Sequence, residues 1–529
     1  MNTSEGIYLG LNQDRERVLL PLSMANRHGL IAGASGTGKT ITMKVLAESF
    51  SQAGVPVFLC DIKGDVSGIC QAGVSNEGME KRIDKFGLRD SFSYRGYPAV
   101  FWDIYQEGGH PVRATVSDMG PQLLSRILGL TEAQEGVLNM AFRIADDKGL
   151  LLLDLKDLRA MLNYLGEHRK EFTEYGTVAT QSLGAILRAL LPLEDRGGDL
   201  FFGEPDLDIA DWMRCAPDGR GYVNVLDCVR LVQNPVLYGT FLLWMLSELF
   251  ERLPEAGDLD KPKLVFFFDE AHLLFDGAPR VLVKKIEQMV KLIRSKGVGV
   301  WFVTQSPSDI PDSVLAQLSN RVQHALRAYT PAEQKAVKAA AQAFRTNPAF
   351  KAEEVIGQLG VGHALVSVLD SEGVPGMVQN TSIICPESRM APADEPCRKD
   401  AFAADGMGKY DKSVDSVSAY EKLLEQQEAD ERAAQLAAER EAFEKEKAAF
   451  EAQKAKAEEA ARKKAEKEAE AARRKYEKQL EQEEARRQRE VQRRMQKIES
   501  QLISTGGQIL KRGLMGTLFG SSSKSTKRR

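Results

Sequence analysis

A glycine-rich segment near the start of the sequence has the residue types that hold phosphate groups. It matches the pattern G-x-x-x-x-G-K-[ST] and lies between an apolar run that predicts a strand and a run that predicts a helix. Glycines let successive amides face phosphate oxygens, and the helix adds its positive end. A plain glycine-rich turn with a surface lysine would not require these flanking elements. The predicted nucleotide-binding residues are Gly33, Ala34, Ser35, Gly36, Thr37, Gly38, Lys39 and Thr40.

Two acidic residues follow a second apolar run, LVFFFDE, and have the chemistry for hydrolysis. Residues 264–268 predict a buried strand that ends at Asp269 and Glu270, and open α/β sheets bind ligands at the carboxyl ends of their strands. Lys39 would contact the terminal phosphates of ATP. Thr40 and Asp269 would hold Mg²⁺, Asp269 through water, and Glu270 would activate the attacking water as a general base. The alternative is a core strand that merely ends in two acids.

Further candidates lie in the strand VGVWFVTQ and in the helix before it. Gln305 ends this strand and could sense the γ-phosphate, although many strands end in polar residues without a catalytic role. Arg294 and Lys296 end the preceding helix, from which an arginine finger could enter a neighbouring subunit's site. Arg321 is a further finger candidate. A solvated helix face is the alternative explanation for most of these charges.

Other polar residues in the α/β region have weaker indications of function. Asp61 and Asp65 follow the strand VPVFLCD and could support a metal ion or water, although loop turns also favour Asp and Gly. None of the six histidines lies at metal-ligand spacing from another histidine or a cysteine. We therefore expect His28, His272 and His363 to be structural.

The organisation of residues 1–390 predicts an α/β domain with a mainly parallel sheet. Apolar runs without alternation recur there, separated by helical patterns, as in a sheet that is covered on both faces. Residues from about 118 to 215 change to a helical period and predict an all-helical insertion. Thr131 and Gln134 predict a capping box within it.

The remainder of the chain has a different composition. Residues 391–417 read as a linker, and residues 418–502 lack Pro and Gly and predict one long charged helix. Its ends carry apolar residues at coiled-coil spacing, including Leu436, Phe443 and Phe450, whereas a single solvated helix explains its middle better. Residues 503–529 predict a flexible basic tail.

Composition excludes several classes of protein. The 529 residues have a formal net charge of -4, with a mildly acidic body and a basic tail, which is not typical of a dedicated nucleic-acid module. The six scattered cysteines form no C-x-x-C pair and argue against a zinc site or a disulfide framework. We find no secretory leader and no apolar run long enough to span a membrane, so we expect a cytoplasmic protein.

Four segments together resemble the HerA/FtsK superfamily of P-loop motor ATPases. They are RHGLIAGASGTGKT, VFLCDIKGD, LVFFFDEAH and RSKGVGVWFVTQSPSDIPDSVLAQLSNRV. More narrowly, residues from about 5 to 390 resemble the bacterial YjgR group of HerA-like ATPases. The resemblance implies a RecA-like core, a usually hexameric ring with ATP sites between subunits, and for several relatives translocation along double-stranded DNA. It assigns Gln305 as sensor and Arg294 as finger.

Two functions from different classes remain open on the sequence. The first is a ring-forming ATPase that moves double-stranded DNA. The second is an ATP-dependent oligomeric scaffold that recruits a protein partner through its C-terminal helix. The letters DEAH at residues 269–272 do not indicate an RNA helicase, because the flanking helicase motifs are absent from the sequence. A transporter ATPase lacks its LSGGQ-type signature here, and a kinase would not need Glu270.

Overall fold

Thirteen strands form one mixed sheet in the computed structural model, which describes residues 2–3, 6–276 and 280–502. The chain divides into two units, Met1–Gln427 and Glu428–Arg529. The first unit contains the sheet and all the residues predicted to act on nucleotide. The second contains most of the long C-terminal helix.

The elements are numbered in chain order. The strands are β1 (Asn2–Thr3), β2 (Gly6–Leu11), β3 (Arg17–Leu20), β4 (Gly29–Ala32), β5 (Val57–Asp61), β6 (Ala99–Asp103), β7 (His110–Pro111), β8 (Val223–Asp227), β9 (Leu264–Phe268), β10 (Val298–Thr304), β11 (Asn320–Gln323), β12 (His363–Ser367) and β13 (Gln379–Ile383). The helices are α1 (Lys39–Gln52), α2 (Glu77–Lys85), α3 (Val116–Ile127), α4 (Glu132–Lys148), α5 (Leu155–Glu167), α6 (Thr180–Leu193), α7 (Asp199–Phe201), α8 (Pro235–Arg252), α9 (Arg280–Leu292), α10 (Asp312–Leu315), α11 (Pro331–Gln342), α12 (Ala352–Ile356), α13 (Glu395–Ala404) and α14 (Ala419–Leu502).

The order of the strands places the predicted site residues at the carboxyl ends of neighbouring strands in the middle of the sheet. The order is β1-β2-β13-β12-β11-β4-β10-β9-β5-β8-β6-β7, with β3 paired to β2. Every pairing from β11 to β7 in this order is parallel, and the pairings among the remaining strands are antiparallel. Strand β10 lies between β4 and β9. This is the RecA-like α/β core with a mainly parallel sheet that the sequence predicts.

Alternate residues of the central strands contribute to two different cores. Phe266 and Phe268 of β9 pack in the core on one face of the sheet, which includes helix α8. Val265 and Phe267 pack in the core on the other face, together with Phe50 of α1. Because side chains alternate along a strand, a sheet covered on both faces needs apolar residues at every position. This explains the unbroken apolar runs in the sequence.

The chain between β7 and β8 is helical over most of its length and contains helices α3 to α7. The predicted capping box is confirmed, because the amide of Thr131 donates to Gln134 Oε1 at 2.9 Å. Leu138, Leu158 and Leu190 are fully buried in the core that also contains residues of β9 and α8. These helices therefore share a hydrophobic core with the sheet.

Residues 391–417, which their loose composition predicts to be a linker, belong to the first unit and include α13 and a segment that is hydrogen-bonded to the rest of that unit. His110 lies between two carboxylates, with Nε2 2.9 Å from Asp405 Oδ2 and Nδ1 2.6 Å from Asp411 Oδ1. Arg113 Nη1 donates to the carbonyl of Tyr410 at 2.8 Å. Asp405, Tyr410 and Asp411 of this segment are thus bonded to β7 and to the residues that follow it.

The second unit contains the long charged helix that the composition predicts. From Glu428 onward α14 carries ion pairs between residues one turn apart, such as Lys445 Nζ to Glu441 Oε1 at 2.6 Å, which stabilise exposed helices modestly. Coiled-coil pairing remains a prediction, and the predicted basic tail, residues 503–529, lies outside the described residues. Among the residues that the structure describes, no helix has the length and apolar character to cross a membrane.

Candidate functional site

The phosphate loop, residues 33–40, connects β4 to α1 and requires glycine at three positions. Gly33, Gly36 and Gly38 have φ angles of 154°, 74° and 113°, a region that other L-residues rarely adopt. A Cβ atom at position 33 would lie 2.5 Å from the Cβ of His324. The backbone there is therefore both left-handed and closely packed.

The ends of the two strands that flank β4, β10 and β11, hold this loop in place. The amide of Gly33 donates to the carbonyl of Thr304, the last residue of β10, at 3.2 Å. The amide of Ala34 donates to the carbonyl of Ala325, just after β11, at 2.8 Å. Within the loop, Thr37 Oγ1 donates to the carbonyl of Ala34 at 2.7 Å. The loop is thus built into the sheet edge.

Lys39 begins helix α1 and is folded over the loop. Its Nζ donates to the carbonyls of Gly33 at 2.6 Å and Ala34 at 3.2 Å. Burial lowers the pKa of Lys39, and the carboxylate of Glu270 opposes that effect. The ammonium group therefore lies inside the curve of the loop, where it can reach a bound phosphate.

Asp269 directly follows β9 and is only 2% exposed. Burial raises the pKa of its carboxyl group to about 6, although the ammonium of Lys63 acts in the opposite direction. Its Oδ2 atom has no hydrogen-bond partner among the described residues. An unpaired buried oxygen is costly, and carboxylate oxygens are the ligands that Mg²⁺ prefers. Together with the hydroxyl of Thr40, at the start of α1, this donor set fits a magnesium ion.

Glu270 is buried and held in an unusual backbone conformation. Its φ of 44° lies in the left-handed region, which costs a non-glycine residue about 1 kcal/mol or more and is found often at functional sites. Its carboxylate forms an ion pair with Lys63 and lies 3.3 Å from His272 Nδ1 and 3.5 Å from Gln305 Nε2. Burial acts to raise the pKa of Glu270, but Lys63 and Gln305 outweigh it, and the pKa is lowered.

Strand β10 connects the phosphate loop to the two acids. Its residue Thr304 pairs with Ala32, which precedes the loop, and its residue Phe302 pairs with Phe268, which precedes Asp269. The strands end together because they are parallel and in this register. The structure therefore brings the loop, Asp269, Glu270 and Gln305 to one edge of the sheet.

Two cavities adjoin the phosphate loop. The larger, of about 720 Å³, reaches from Ala34 past Gln305 to Arg327. The smaller, of about 390 Å³, adjoins the loop at Gly38 and has mostly apolar walls. The walls of the smaller cavity include Ile41, Met79, Val361, Ile384 and Pro386.

The predicted finger Arg294 does not lie in the site of its own chain. It precedes the first residue of β10, at the edge of the sheet opposite the phosphate loop. Its Nη2 is 3.9 Å from Asp258 Oδ1, and Arg27 Nη2 is 3.7 Å from the same atom. The Asp258 side chain is 92% exposed and that of Arg294 is 41% exposed, so this contact holds the guanidinium weakly.

The two other finger candidates are bound within their own chain. Lys296 Nζ donates to the carbonyl of Leu253 at 2.5 Å, and the lysine is buried. The guanidinium of Arg321 donates to three backbone carbonyls, at 3.1, 3.2 and 3.1 Å, those of Leu318, Ala343 and Leu315.

The loop after β5 contains a site residue that the sequence analysis missed. Asp61, a weaker candidate for metal or water, instead uses both carboxylate oxygens to accept the amides of Gly64 at 2.8 Å and Val66 at 3.0 Å. This folds the loop so that Lys63 meets Glu270. The available signal was a lysine two residues after a strand-end acid, in the string DIKGD.

A second missed residue, His324, lies beneath the phosphate loop. It is fully buried, with Nδ1 3.0 Å from the carbonyl of His363 and Nε2 2.9 Å from Thr42 Oγ1. The carbonyl accepts from Nδ1–H, so the neutral ring accepts the Thr42 hydroxyl at Nε2. Burial lowers the pKa of His324 to about 4. The ring thereby ties α1 to the end of β11.

Replacing His324 with glutamine should make stability less sensitive to acid. The pKa of this histidine is about 4 in the folded chain against an ordinary 6.5, so its contribution is fully present above pH 6.5 and lost as the pH falls towards 4. Between about pH 7.5 and 5 this one group should lower the free energy of unfolding by about 2 kcal/mol. Urea unfolding of wild type and His324→Gln at both pH values measures the difference.

The partly exposed His168 offers a matched control. His168→Gln should keep the acid sensitivity of the wild type. Equal losses of stability in wild type and His324→Gln would contradict the buried neutral ring.

The chain matches one protein family over nearly its whole length. A model described as helicase HerA-like C-terminal matches residues 8–524. No curated protein sequence matches the chain.

Solved structures of two bacterial proteins are similar in fold. The conjugative coupling protein TrwBdeltaN70, in its unbound monoclinic form, is 15% identical, with a TM-score of 0.46 over 75% of this chain and 92% of that chain. TrwB in complex with ADP and Mg²⁺ is 15% identical, with a TM-score of 0.44 and the same coverage, 75% and 92%. VirB4 of Thermoanaerobacter pseudethanolicus is 15% identical, with a TM-score of 0.44 over 72% of this chain and 97% of that chain.

Proposed function

The chain belongs to the HerA-like helicase family of P-loop ATPases, and on that premise we propose that it couples Mg²⁺-dependent ATP hydrolysis to movement along double-stranded DNA. The observation that carries the hydrolytic part is the meeting of the phosphate loop and the two acids at one edge of the sheet, joined through β10. Within the family we infer the YjgR group, on the four sequence segments given above.

ATP binds along the phosphate loop in this proposal. The amides of residues 33–40 and the positive end of α1 face the phosphate oxygens, and Lys39 leaves its loop carbonyls to contact the terminal phosphates. The adenosine occupies the apolar cavity that adjoins Gly38. An apolar cavity of about 390 Å³ lies within the range typical of small-molecule sites.

Hydrolysis uses the residues that surround the end of the triphosphate. Glu270 accepts a proton from the attacking water, whose oxygen bonds to the γ-phosphorus while the bond to the bridging oxygen breaks, releasing ADP and phosphate. Gln305, beside Glu270, senses the γ-phosphate and its release. Thr40 and Asp269 would hold Mg²⁺, which when bound neutralises charge on the phosphates.

We propose a ring, usually hexameric in this superfamily, with Arg294 as the finger that enters the neighbouring ATP site. The choice of Arg294 is supported by comparing the contacts of the three finger candidates. The Arg294 side chain is 41% exposed, and its guanidinium lies 3.9 Å from the highly exposed carboxylate of Asp258. Lys296 and Arg321 donate hydrogen bonds to backbone carbonyls of their own chain, and moving them would break those bonds.

Double-stranded DNA should stimulate ATP turnover at low salt. Phosphate contacts by basic residues release counterions, so the DNA concentration for half-maximal stimulation should rise about tenfold or more between about 50 and 200 mM salt. Phosphate release measured across DNA and salt titrations tests this. Glu270→Gln serves as the control for contaminating ATPases. A rate that stays flat across DNA concentrations at low salt would contradict the DNA part of the proposal.

A second candidate function, an ATP-dependent scaffold, has its own supporting observation. In the second unit, Leu436, Phe443 and Phe450 are exposed at 57%, 68% and 67% and are spaced seven residues apart. Such a row of large apolar residues on a charged helix is suited to pairing with another helix. In this function ATP orders the ring, and the helix recruits a protein partner.

Truncation after Gln427 should separate the two functions. The cut lies at the end of the first unit because Asp405, Tyr410 and Ser418 are hydrogen-bonded to other residues of that unit. The motor function predicts that the shortened chain keeps its ATPase rate and its response to DNA. The scaffold function predicts normal ATPase but loss of a partner that the full chain captures. Loss of the DNA response on truncation would count against the motor as described.

A further inference from the structure

The ammonium group of Lys63 is paired with the carboxylate proposed to activate water. Its Nζ contacts Glu270 Oε1 directly. The lysine side chain is 43% exposed, whereas that of Glu270 is 8% exposed. An ion pair between two exposed side chains contributes little free energy. Removing the cation from a buried carboxylate costs much more, because the carboxylate is then left buried without a partner. This ion pair therefore differs from the surface pairs of the chain.

The loop that carries Lys63 is built to hold it there. Asp61, buried at the end of β5, accepts the amides of Gly64 and Val66 on its two carboxylate oxygens. Gly64 has a φ of 75°, which lets the chain turn back towards the sheet edge. Strand β5 is the neighbour of β9. The loop after β5 thus directs Lys63 towards Glu270, which lies just after the neighbouring strand β9.

The two oxygens of the Glu270 carboxylate face different groups. Oε1 is held by Lys63, while Oε2 lies 3.5 Å from Gln305 Nε2 and 3.3 Å from His272 Nδ1. A glutamate side chain has three rotatable bonds, and a general base works only when one oxygen is aimed at the proton it takes. Fixing Oε1 leaves Oε2 on the side of Gln305, which directly follows β10, the strand beside β4 and the phosphate loop.

We propose that Lys63 is a positioning residue for ATP hydrolysis, holding Glu270 by Oε1 so that Oε2 receives the proton of the attacking water. The inference rests on the proposed ATPase function and adds a residue to its site. Lys63 acts on the rate of the chemical step through Glu270. In this proposal Lys63 does not bind the triphosphate, and it does not inhibit hydrolysis.

The test compares Lys63→Met, which keeps the length of the stem without its charge, with Lys63→Arg. Lys63→Met should lower the single-turnover rate by about 10- to 100-fold, in the range of orientation effects. The dissociation constant for a fluorescent non-hydrolysable ATP analogue should stay unchanged, and Lys63→Arg should recover most of the rate. The control is Lys351→Met, which removes an exposed ion pair with Glu354 and should leave both quantities at wild-type values. Thermal melting of each variant checks that it folds.

The same substitution in a Glu270→Gln background separates action through Glu270 from an independent role. If Lys63 acts through that carboxylate, Lys63→Met should cause no further loss of rate there. An undiminished further loss would overturn the proposal, as would a single variant that turns over at or above the wild-type rate. Weaker analogue binding with an unchanged rate would also overturn it. Failure of the underlying ATPase function looks different, because the wild type would then be inactive or Glu270→Gln would match it.

Discussion

Glu270→Gln should bind ATP normally and hydrolyse it about 10²- to 10⁴-fold more slowly, the range expected for loss of a general base. The amide that replaces the carboxylate is close to it in shape, so the packing beside β9 is preserved. It cannot accept the proton of the attacking water. Single-turnover phosphate release measures the loss, and binding of a fluorescent ATP analogue measures the affinity.

An exposed glutamate in the hairpin between β12 and β13 provides the control. Glu372→Gln removes the same charge from an exposed side chain in the loop that follows the end of β12 and should behave as wild type. Wild-type turnover in Glu270→Gln would contradict the assignment of this residue as the base.

Lys39→Ala should weaken ATP binding by about 30-fold or more, because truncating one partner of a buried charge pair costs about 2 to 5 kcal/mol. The substitution removes the ammonium that now lies on the carbonyls of Gly33 and Ala34. Turnover should fall as well, since the same charge stabilises the developing phosphate charge. Equilibrium binding of the analogue with Mg²⁺ and steady-state ATPase assays measure the two effects.

The matched variant is Lys399→Ala, which removes a surface ion pair with Glu395. It should change neither binding nor turnover. Lys39→Ala and Glu270→Gln are complementary, because the first should lose affinity and the second only rate. If Lys39→Ala bound ATP as tightly as wild type, the phosphate loop would not be the ATP site.

The fold is predictable from the sequence where its signals are local. The unbroken apolar runs predict the buried parallel strands, because each residue of β9 faces one of two cores. The docking of residues 405–418 on the body is not predictable in this way. It depends on pairings such as His110 with Asp405 and Asp411, which join residues about 300 positions apart and have no local pattern.

The site divides in the same way between local and distant signals. Lys39, Asp269 and Glu270 belong to short motifs whose spacing fixes their places on a loop or strand end. The roles of Lys63 and His324 depend on contacts with residues distant in the sequence, Glu270 and Thr42 respectively. The string DIKGD indicates a loop lysine at position 63 but not its partner, and the residues next to His324 do not indicate its contact with Thr42. Asp61 was a plausible metal ligand until its oxygens proved to be used by Gly64 and Val66.

The most direct test is a crystal or cryo-electron microscopy structure with a non-hydrolysable ATP analogue and Mg²⁺. We expect the triphosphate to bind to the amides of residues 33–40. Mg²⁺ should be held by Thr40 and, through water, by Asp269, and Glu270 should face the γ-phosphate. A nucleotide bound elsewhere, or a γ-phosphate remote from both acids, would contradict it.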